Sequence, residues 1–378
     1  MYKETPKGWN LVNFDSFFTV LPSKKYQVQK QDYLEKGLVP VVDQGQKLII
    51  GYTDDENKKF NKNNVIIFGD HTRIVKYIDF NFAVGADGTQ ILETKDGIDL
   101  KFGYYQLLNK NIPDTGYNRH FKYVKAEKYV IPPTLAEQQE IVKVLDTIND
   151  IIRLREECIS HAQDLIPALF QEMFKPYANY TKTALNNLFE FKSGGTPSKQ
   201  VEEYFQGDIP WITTVALNKL FIGKEDANEL ITEEAIQKSA TKLIPANSLL
   251  FGTRVGIGKL AINIVPMCTN QDIVAMIPFE NNNLNLVYAY WYLKQINNFF
   301  VANGRGATIQ GITTHLVRST EIILPPLKVQ EQFAQKVIEI ESYIKEQQEE
   351  LENAKQMFQS LLHHAFTGEL TRRAYGED

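Results

Sequence analysis

Arginine, lysine, histidine, threonine and glutamine gather beside glycines in three polar stretches of this 378-residue chain. The first follows Phe68-Gly69 and contains His71, Thr72, Arg73 and Lys76. The second follows Phe251-Gly252 and contains Arg254 and Lys259. The third, NGRGATIQG, contains Arg305, Thr308 and Gln310. Ser198 and Lys199, in TPSKQ, join them because LPSKK from Leu21 has the same pattern. An arginine fork fits the two acceptors of guanine, a glutamine amide fits adenine, and Ser or Thr can serve either. Lysine suits phosphate, and glycine lets the backbone approach a groove. The candidate chemistry is recognition of double-stranded DNA.

Other chemistries find less support. GxxxxGK[ST] is absent, and VGIGK (Val255–Lys259) lacks the strand–GxGxxG–helix setting of a dinucleotide site. None of the six histidines lies in a motif that would activate a nucleophile, and no His/Cys cluster has metal-ligand spacing. Asp87 with Glu93-Thr94-Lys95 has the D…ExK form of a Mg²⁺-dependent nuclease, whose carboxylates hold the metal. The turn ADGT leading into the strand ILET accounts for the same residues, so no catalytic or metal-binding residue is assigned and the nuclease stays an alternative.

The elements that must position these loops come as a repeat. IPPTLAEQQEIVKVL from Ile131 returns as LPPLKVQEQFAQKVI from Leu324, with both Pro pairs, Gln139/Gln332 and Lys143-Val144/Lys336-Val337 at an offset of 193. Prolines block helix upstream and suit a helix's first turn. Thr134 and Glu137 have capping-box spacing, whereas the second copy places Leu327 at the cap. Beyond it, Ile141, Leu145, Ile148, Ile152 and Ile159 form a heptad stripe matched by Phe333, Val337, Ile340, Ile344 and Leu351. The stripe continues through Ala162, Ile166, Leu169 and Met173, and in the second copy through Ala354, Phe358, Leu361 and Ala365. Steps of four and three make a coiled-coil seam. Each seam skips one beat, at Arg155 and Gln347, 192 apart. An antiparallel pair would bring these two polar residues face to face near its middle. Pro167 is expected to kink the first helix or begin a new one.

Ahead of each helix lies a segment, and the two segments share a common grammar. GLVPVV matches GDIPWI at an offset of 170, and Phe68-Gly69 matches Phe251-Gly252 at 183. Drifting offsets signify loop insertions in a shared fold. DLKFGYYQLL occupies the place of LNLVYAYWYLKQINNFF. The expected architecture is α+β: two mixed α/β domains separated by two long antiparallel helices in a coiled coil, with an internal pseudo-two-fold. The divisions are 1–130, 131–175, 176–323 and 324–370.

The net charge of −5 is unevenly spread. Residues 1–125 hold 18 basic against 15 acidic side chains, and residues 183–321 hold 11 against 12. The helical segments 126–182 and 322–378 hold 6 against 9 and 6 against 10. That distribution excludes a strongly basic non-specific DNA coat. MYKETPKGWN has no apolar targeting core and no run is long enough to span a membrane. Two cysteines in separate segments suit a reducing cytoplasm, each expected to be free and buried.

Taken together, the two [IL]PP…Q helices, the closing LLHHAFTGEL (Leu361–Leu370) and GGTPS…GDIPWI resemble the DNA specificity subunit of type I restriction–modification systems. The resemblance covers nearly the whole chain. It implies a non-catalytic, cytoplasmic host-defence component whose two target-recognition domains each read half of a split DNA site. It implies docking of methyltransferase subunits, two in number, with motor-nuclease subunits joining for restriction. S-adenosylmethionine belongs to the methyltransferase, and no cofactor to this chain. Both Pro pairs here, IPPT and LPPL, lack the [DNS]PP[YFW] form of amino-methyltransferases. Besides the nuclease, a protein-binding scaffold remains the other alternative.

Overall fold

The computed structural model describes residues 5–85, 88–280, 282–306, 310–367 and 370. The first half runs β1 (Asn10–Asn13), α1 (Phe14–Phe17), β2 (Phe18–Leu21), β3 (Val39–Val42), β4 (Gly51–Thr53), β5 (Val65–Gly69), β6 (Val75–Ile78), β7 (Ala83–Val84), β8 (Thr89–Thr94), α2 (Leu100–Leu108), α3 (Phe121–Ala126), β9 (Lys128–Ile131) and α4 (Leu135–Phe174). The second runs β10 (Lys182–Ala184), β11 (Phe189–Ser193), β12 (Ile209–Ile212), β13 (Phe221–Ile222), β14 (Glu229–Ile231), α5 (Glu233–Gln237), β15 (Ser248–Gly252), β16 (Leu260–Asn263), β17 (Cys268–Thr269), β18 (Ile273–Pro278), α6 (Leu286–Gln295), α7 (Asn297–Ala302), α8 (Thr314–Ser319), β19 (Glu321–Ile323) and α9 (Leu327–Ala365).

The chain divides into two compact units, Met1–Glu156 with Glu349–Asp378, and Glu157–Gln348. Each boundary falls inside a long helix. Each unit therefore holds the start of one long helix and the end of the other.

In the first unit a four-stranded antiparallel sheet, β2-β8-β5-β6, faces a three-stranded sheet, β4-β3-β7, in which β7 is parallel. Side chains along a strand alternate between faces. Val65 and Ile67 accordingly pack with Val42, Phe82 and Ile91 between the sheets. Ile66 and Phe68 turn the other way, onto Phe102, Tyr105, Ile141, Leu145 and Phe358. β1 pairs antiparallel with β9, which leads into α4.

The second unit repeats this plan. Its sheets are β11-β18-β15-β16-β13 and β14-β12-β17, and β10 pairs with β19 before α9. Leu250 packs between sheets with Ile212 and Met267. Leu249 and Phe251 face the helices with Phe170, Tyr288 and Phe333. The expected matches of β3 with β12 and β5 with β15 thus hold as structural equivalences.

The long helices agree with the heptad expectation in their middles and depart from it at their ends. Ile141, Leu145, Ile148, Ile159 and Ile166 are buried in the first, and Phe333, Val337, Ile344, Leu351 and Phe358 in the second. After Ile166 burial passes to Phe170 and Phe174 in place of Leu169 and Met173. After Phe358 it passes to Leu362 and Phe366 in place of Leu361. An α-helix has 3.6 residues per turn against the heptad's 3.5, so the buried stripe drifts by one position toward the domain core, while Phe170 and Phe174 still meet the seam residue Phe333. The slide occurs 192 residues apart in the two copies and aims each C-terminal end into a domain core. The Phe174 ring packs tilted against Tyr288 with centroids 4.7 Å apart, and Phe366 packs edge-on against Phe102 at 5.4 Å. Fully burying such a ring is worth about 1.5–3 kcal/mol.

Three expectations differ in part from the structure. Pro167 lies inside α4, which runs through it for 40 residues without restarting. Only half of the capping box forms: Glu137 N–H donates to Thr134 Oγ1 at 3.2 Å, while Glu137 Oε2 is buried without a partner. Cys268 is buried, its thiol pushed up to about 11 by burial, but Cys158 is exposed because it lies beside the seam residue Ile159. In the first unit Arg155 ion-pairs with Glu350, and Lys355 pairs with Glu156 at 3.1 Å. Among the described residues no helix is long and apolar enough to cross a membrane.

Candidate nucleic-acid interface

In each unit the candidate loops lie at one end of the larger sheet, beyond the C-terminal end of its central strand. In the first unit β5 ends in a tight turn. Arg73 N–H closes onto the Gly69 carbonyl at 2.7 Å, with Arg73 itself at φ +63°. His71 N–H donates to Gln44 Oε1 at 2.9 Å, and Thr72 Oγ1 donates to the Gln44 carbonyl. A second loop, residues 112–120, is bound to this turn by Asp70, which is only 3% exposed. Asp70 Oδ1 accepts from Phe121 N–H at 2.8 Å, and its carbonyl accepts from His120 N–H and His120 Nδ1. Thr115 N–H donates to His120 Nε2 at 3.3 Å, so these partners assign the neutral tautomer with the proton on Nδ1.

This composite surface presents Tyr117, 89% exposed, stacked on His71 with ring centroids 4.8 Å apart and planes 10° apart. Arg73 is committed to the loop, binding Asp114 at 2.6 Å and the Ile112 carbonyl at 3.3 Å. The Asp114 carboxyl is held below its ordinary range by the Gly116 N–H and by Arg73. Lys76 points inward. It is 6% exposed and donates to the carbonyls of Asp43 at 2.8 Å and Lys47 at 2.6 Å; burial lowers its pKa.

In the second unit the turn after β15 closes through Gly252 N–H to the Lys259 carbonyl at 2.8 Å. Val255, 57% exposed, sits at φ +37°. A β-branched residue in that region is strained, and such strain concentrates at functional sites. Gly311 binds the two loops together. It exchanges both backbone hydrogen bonds with Arg305 at 2.9 Å and bridges Arg254, while Ile312 N–H reaches the Thr253 carbonyl. A Cβ on Gly311 would lie 3.0 Å from Arg254 Cγ. Arg254, Lys259, Arg305 and Gln310 are all exposed, and among the described residues none of the three cations forms an ion pair. Thr308 lies outside the described residues.

The TPSKQ stretch reaches the same end by another route. Gly194 N–H donates to the Ile273 carbonyl, and Gly195 N–H to the Thr269 carbonyl. Any Cβ at Gly194 would sit 2.2 Å from the Asn270 carbonyl oxygen, so only glycine fits. Lys199 ion-pairs with Glu229 at 3.2 Å, and Ser198 sits in the turn before it. At an exposed site that pair is worth less than about 1 kcal/mol and leaves Lys199 available.

The structure thus joins Arg254, Arg305 and Gln310 into one surface, and His71 and Thr72 into another. It adds Tyr117, Asp114 and His120, which the sequence reading passed over. A signal for Asp114 and Tyr117 existed: NGRGATIQG at 303–311, shifted by the seam offset of 192, falls on 111–119, NIPDTGYNR.

The same pairing of turn and loop in both halves corresponds to a repeated family unit. The type I restriction modification DNA specificity domain matches residues 6–161 and again residues 177–353. The chain belongs to that family. It is a DNA specificity subunit, a recognition component rather than a catalyst. Over 341 residues the specificity chain is 29% identical to the type I restriction enzyme EcoR124I/EcoR124II specificity subunit of Escherichia coli, covering 84% of this chain and 81% of that one. It is 28% identical over 153 residues to the MjaIX specificity subunit of Methanocaldococcus jannaschii, covering 40% and 35%. Its fold resembles the crystal structure of the type I restriction–modification S subunit from M. genitalium, with a TM-score of 0.63, 17% identity and coverage of 95% and 96%. The nuclease alternative gains no support from these relatives. Glu93 is ion-paired with Lys62, and Asp87 lies outside the described residues.

Proposed function

We propose that the domains at 1–130 and 176–323 each read one half of a split double-stranded DNA site, while the helical segments 131–175 and 324–370 set the unspecified spacer and dock two methyltransferase subunits in the cytoplasm. Motor-nuclease subunits join the same assembly for restriction, and the methyltransferase supplies S-adenosylmethionine. The observation that supports this reading is the turn-and-loop surface formed in the same place in both halves but furnished differently. One carries a stacked Tyr117–His71 pair, the other Arg254, Arg305 and Gln310. A shared frame with different chemistry is what two readers of different half-sites require. In the second domain the two arginines and Gln310 serve the bases and Lys259 the phosphates. In the first, Tyr117, His71 and Thr72 meet the groove. Arg73 is a brace that reaches DNA only by leaving Asp114, and Lys76 supports the turn from inside.

Footprinting of the complex with methyltransferase subunits on host DNA tests this reading. The expected pattern is two short protected, sequence-specific blocks flanking a stretch of free sequence. A single continuous specific block would contradict it.

A further inference from the structure

Two glutamines repeat the same contact in the two halves. Gln138 and Gln330 are each the fourth residue of their long helix, and they are 1% and 0% exposed. Gln138 Oε1 accepts from the backbone N–H of Asp99 at 2.8 Å, and its Nε2 donates to the Gly97 carbonyl at 3.2 Å. Gln330 Oε1 accepts from the N–H of Asn285 at 2.9 Å, and its Nε2 donates to the Asn283 carbonyl at 3.1 Å. Asp99 and Asn285 are the N-caps of α2 and α6, the principal helices of the two domains. Each glutamine therefore holds an N-cap N–H and the carbonyl two residues before it.

The other polar attachments near these joints are not repeated. In the first unit Gln106 exchanges two hydrogen bonds with Val130, and Asp146 receives Tyr105 and Lys101. In the second, the Tyr288 hydroxyl donates to the Ile323 carbonyl, while Lys294 faces Glu341 of the long helix. The polar contacts around these joints have diverged, while the glutamine contact has kept its register and both backbone partners, to which Gln330 Nε2 adds the Pro325 carbonyl at 2.8 Å. It uses only backbone groups of the domain, so it makes no demand on domain sequence beyond a capped helix.

A planar amide paired at both ends fixes direction as well as distance, because rotation about the helix would break one of its two bonds. We infer that Gln138 and Gln330 are positioning residues that set the angle at which each recognition domain sits on its own helix, and hence the phase between the two half-sites. This rests on the reading of the helices as the spacer. It also explains how different recognition domains can occupy one frame: the joint recognises peptide groups, not side chains.

The test uses the full chain assembled with its methyltransferase subunits and three duplexes whose half-sites are separated by the native spacer, one base pair fewer and one more. Wild type is expected to prefer the native spacer by about tenfold or more, the effect of roughly 1.4 kcal/mol. Gln138→Met and Gln330→Met keep the volume but lose the donor and acceptor. They should reduce that preference to about threefold or move its optimum, with base preference inside each half-site unchanged. Ile91→Val, a core change between the two sheets of the first domain, controls for lost stability and should leave the preference intact. Uniform weakening on all three duplexes, with the ratio kept, would overturn the positioning role. Wild type indifferent to spacer length would overturn the spacer reading itself, and the inference with it.

Discussion

Adding four residues to each long helix, after Glu156 and after Gln348, is expected to lengthen the DNA spacer by about two base pairs and leave both half-sites unchanged. Four residues add about 6 Å of helix, against roughly 3.4 Å per base pair. These positions are where the compact units divide, and they lie 192 residues apart, the offset of the seam itself. The insertion leaves Ile141, Leu145 and Phe358 within the first core, and Ile166, Phe333 and Val337 within the second. The Arg155–Glu350 and Lys355–Glu156 pairs flank the insertion points on the side of the first unit, so the insertion leaves both intact. A four-residue insertion in a heptad run is absorbed by local unwinding. Methylation sites with altered half-sites at unchanged spacing would sink the idea of a spacer built from these helices.

Replacing Arg254 and Arg305 together by alanine should lower affinity for cognate DNA by about 2–6 kcal/mol, from about 1–3 for each well-formed base contact. The loss should be confined to one half-site: sequence preference relaxes there and stays intact at the other. Both arginines converge on Gly311 and form no ion pair among the described residues, so their guanidinium groups need not break a bond before meeting DNA. Lys259→Ala should instead weaken binding uniformly and reduce the salt slope by about one. Competition binding against libraries randomised in each half-site separates these outcomes. Equal loss of preference in both halves would show that the pair does not serve a single reader.

The sequence showed the architecture well because the repeat is written in hydrophobic spacing, which survives divergence. The stripes from Ile141 and Phe333, the strand matches of Val39–Val42 with Ile209–Ile212, and the helix Leu100–Leu108 were all readable as patterns. The slide from Leu169 to Phe170 and from Leu361 to Leu362 was not, since it depends on the domain core each helix end meets, Tyr288 beside Phe174 and Phe102 beside Phe366. The glutamine contacts were hidden by one extra residue, Thr134, in the first copy. Aligning from the prolines at 193 pairs Gln139 with Gln332, whereas aligning from the helices at 192 pairs Gln138 with Gln330. The candidate surface was legible only in part. Arg254 and Arg305 were visible as residue types, but Arg73 and Lys76 look the same in sequence. Only the fold shows the Asp114 carboxylate beside one and the Asp43 and Lys47 carbonyls around the other. Tyr117 was passed over because nothing local to it points to His71, 46 positions away.

The central claim is that two independent readers sit on one frame. It is tested most directly by sequencing the methylated sites of a host whose chain carries residues 1–130 from another family member. The account predicts that one half of the split site changes while the other half and the spacer stay as they were. A change in both halves, or in the spacer, would contradict it.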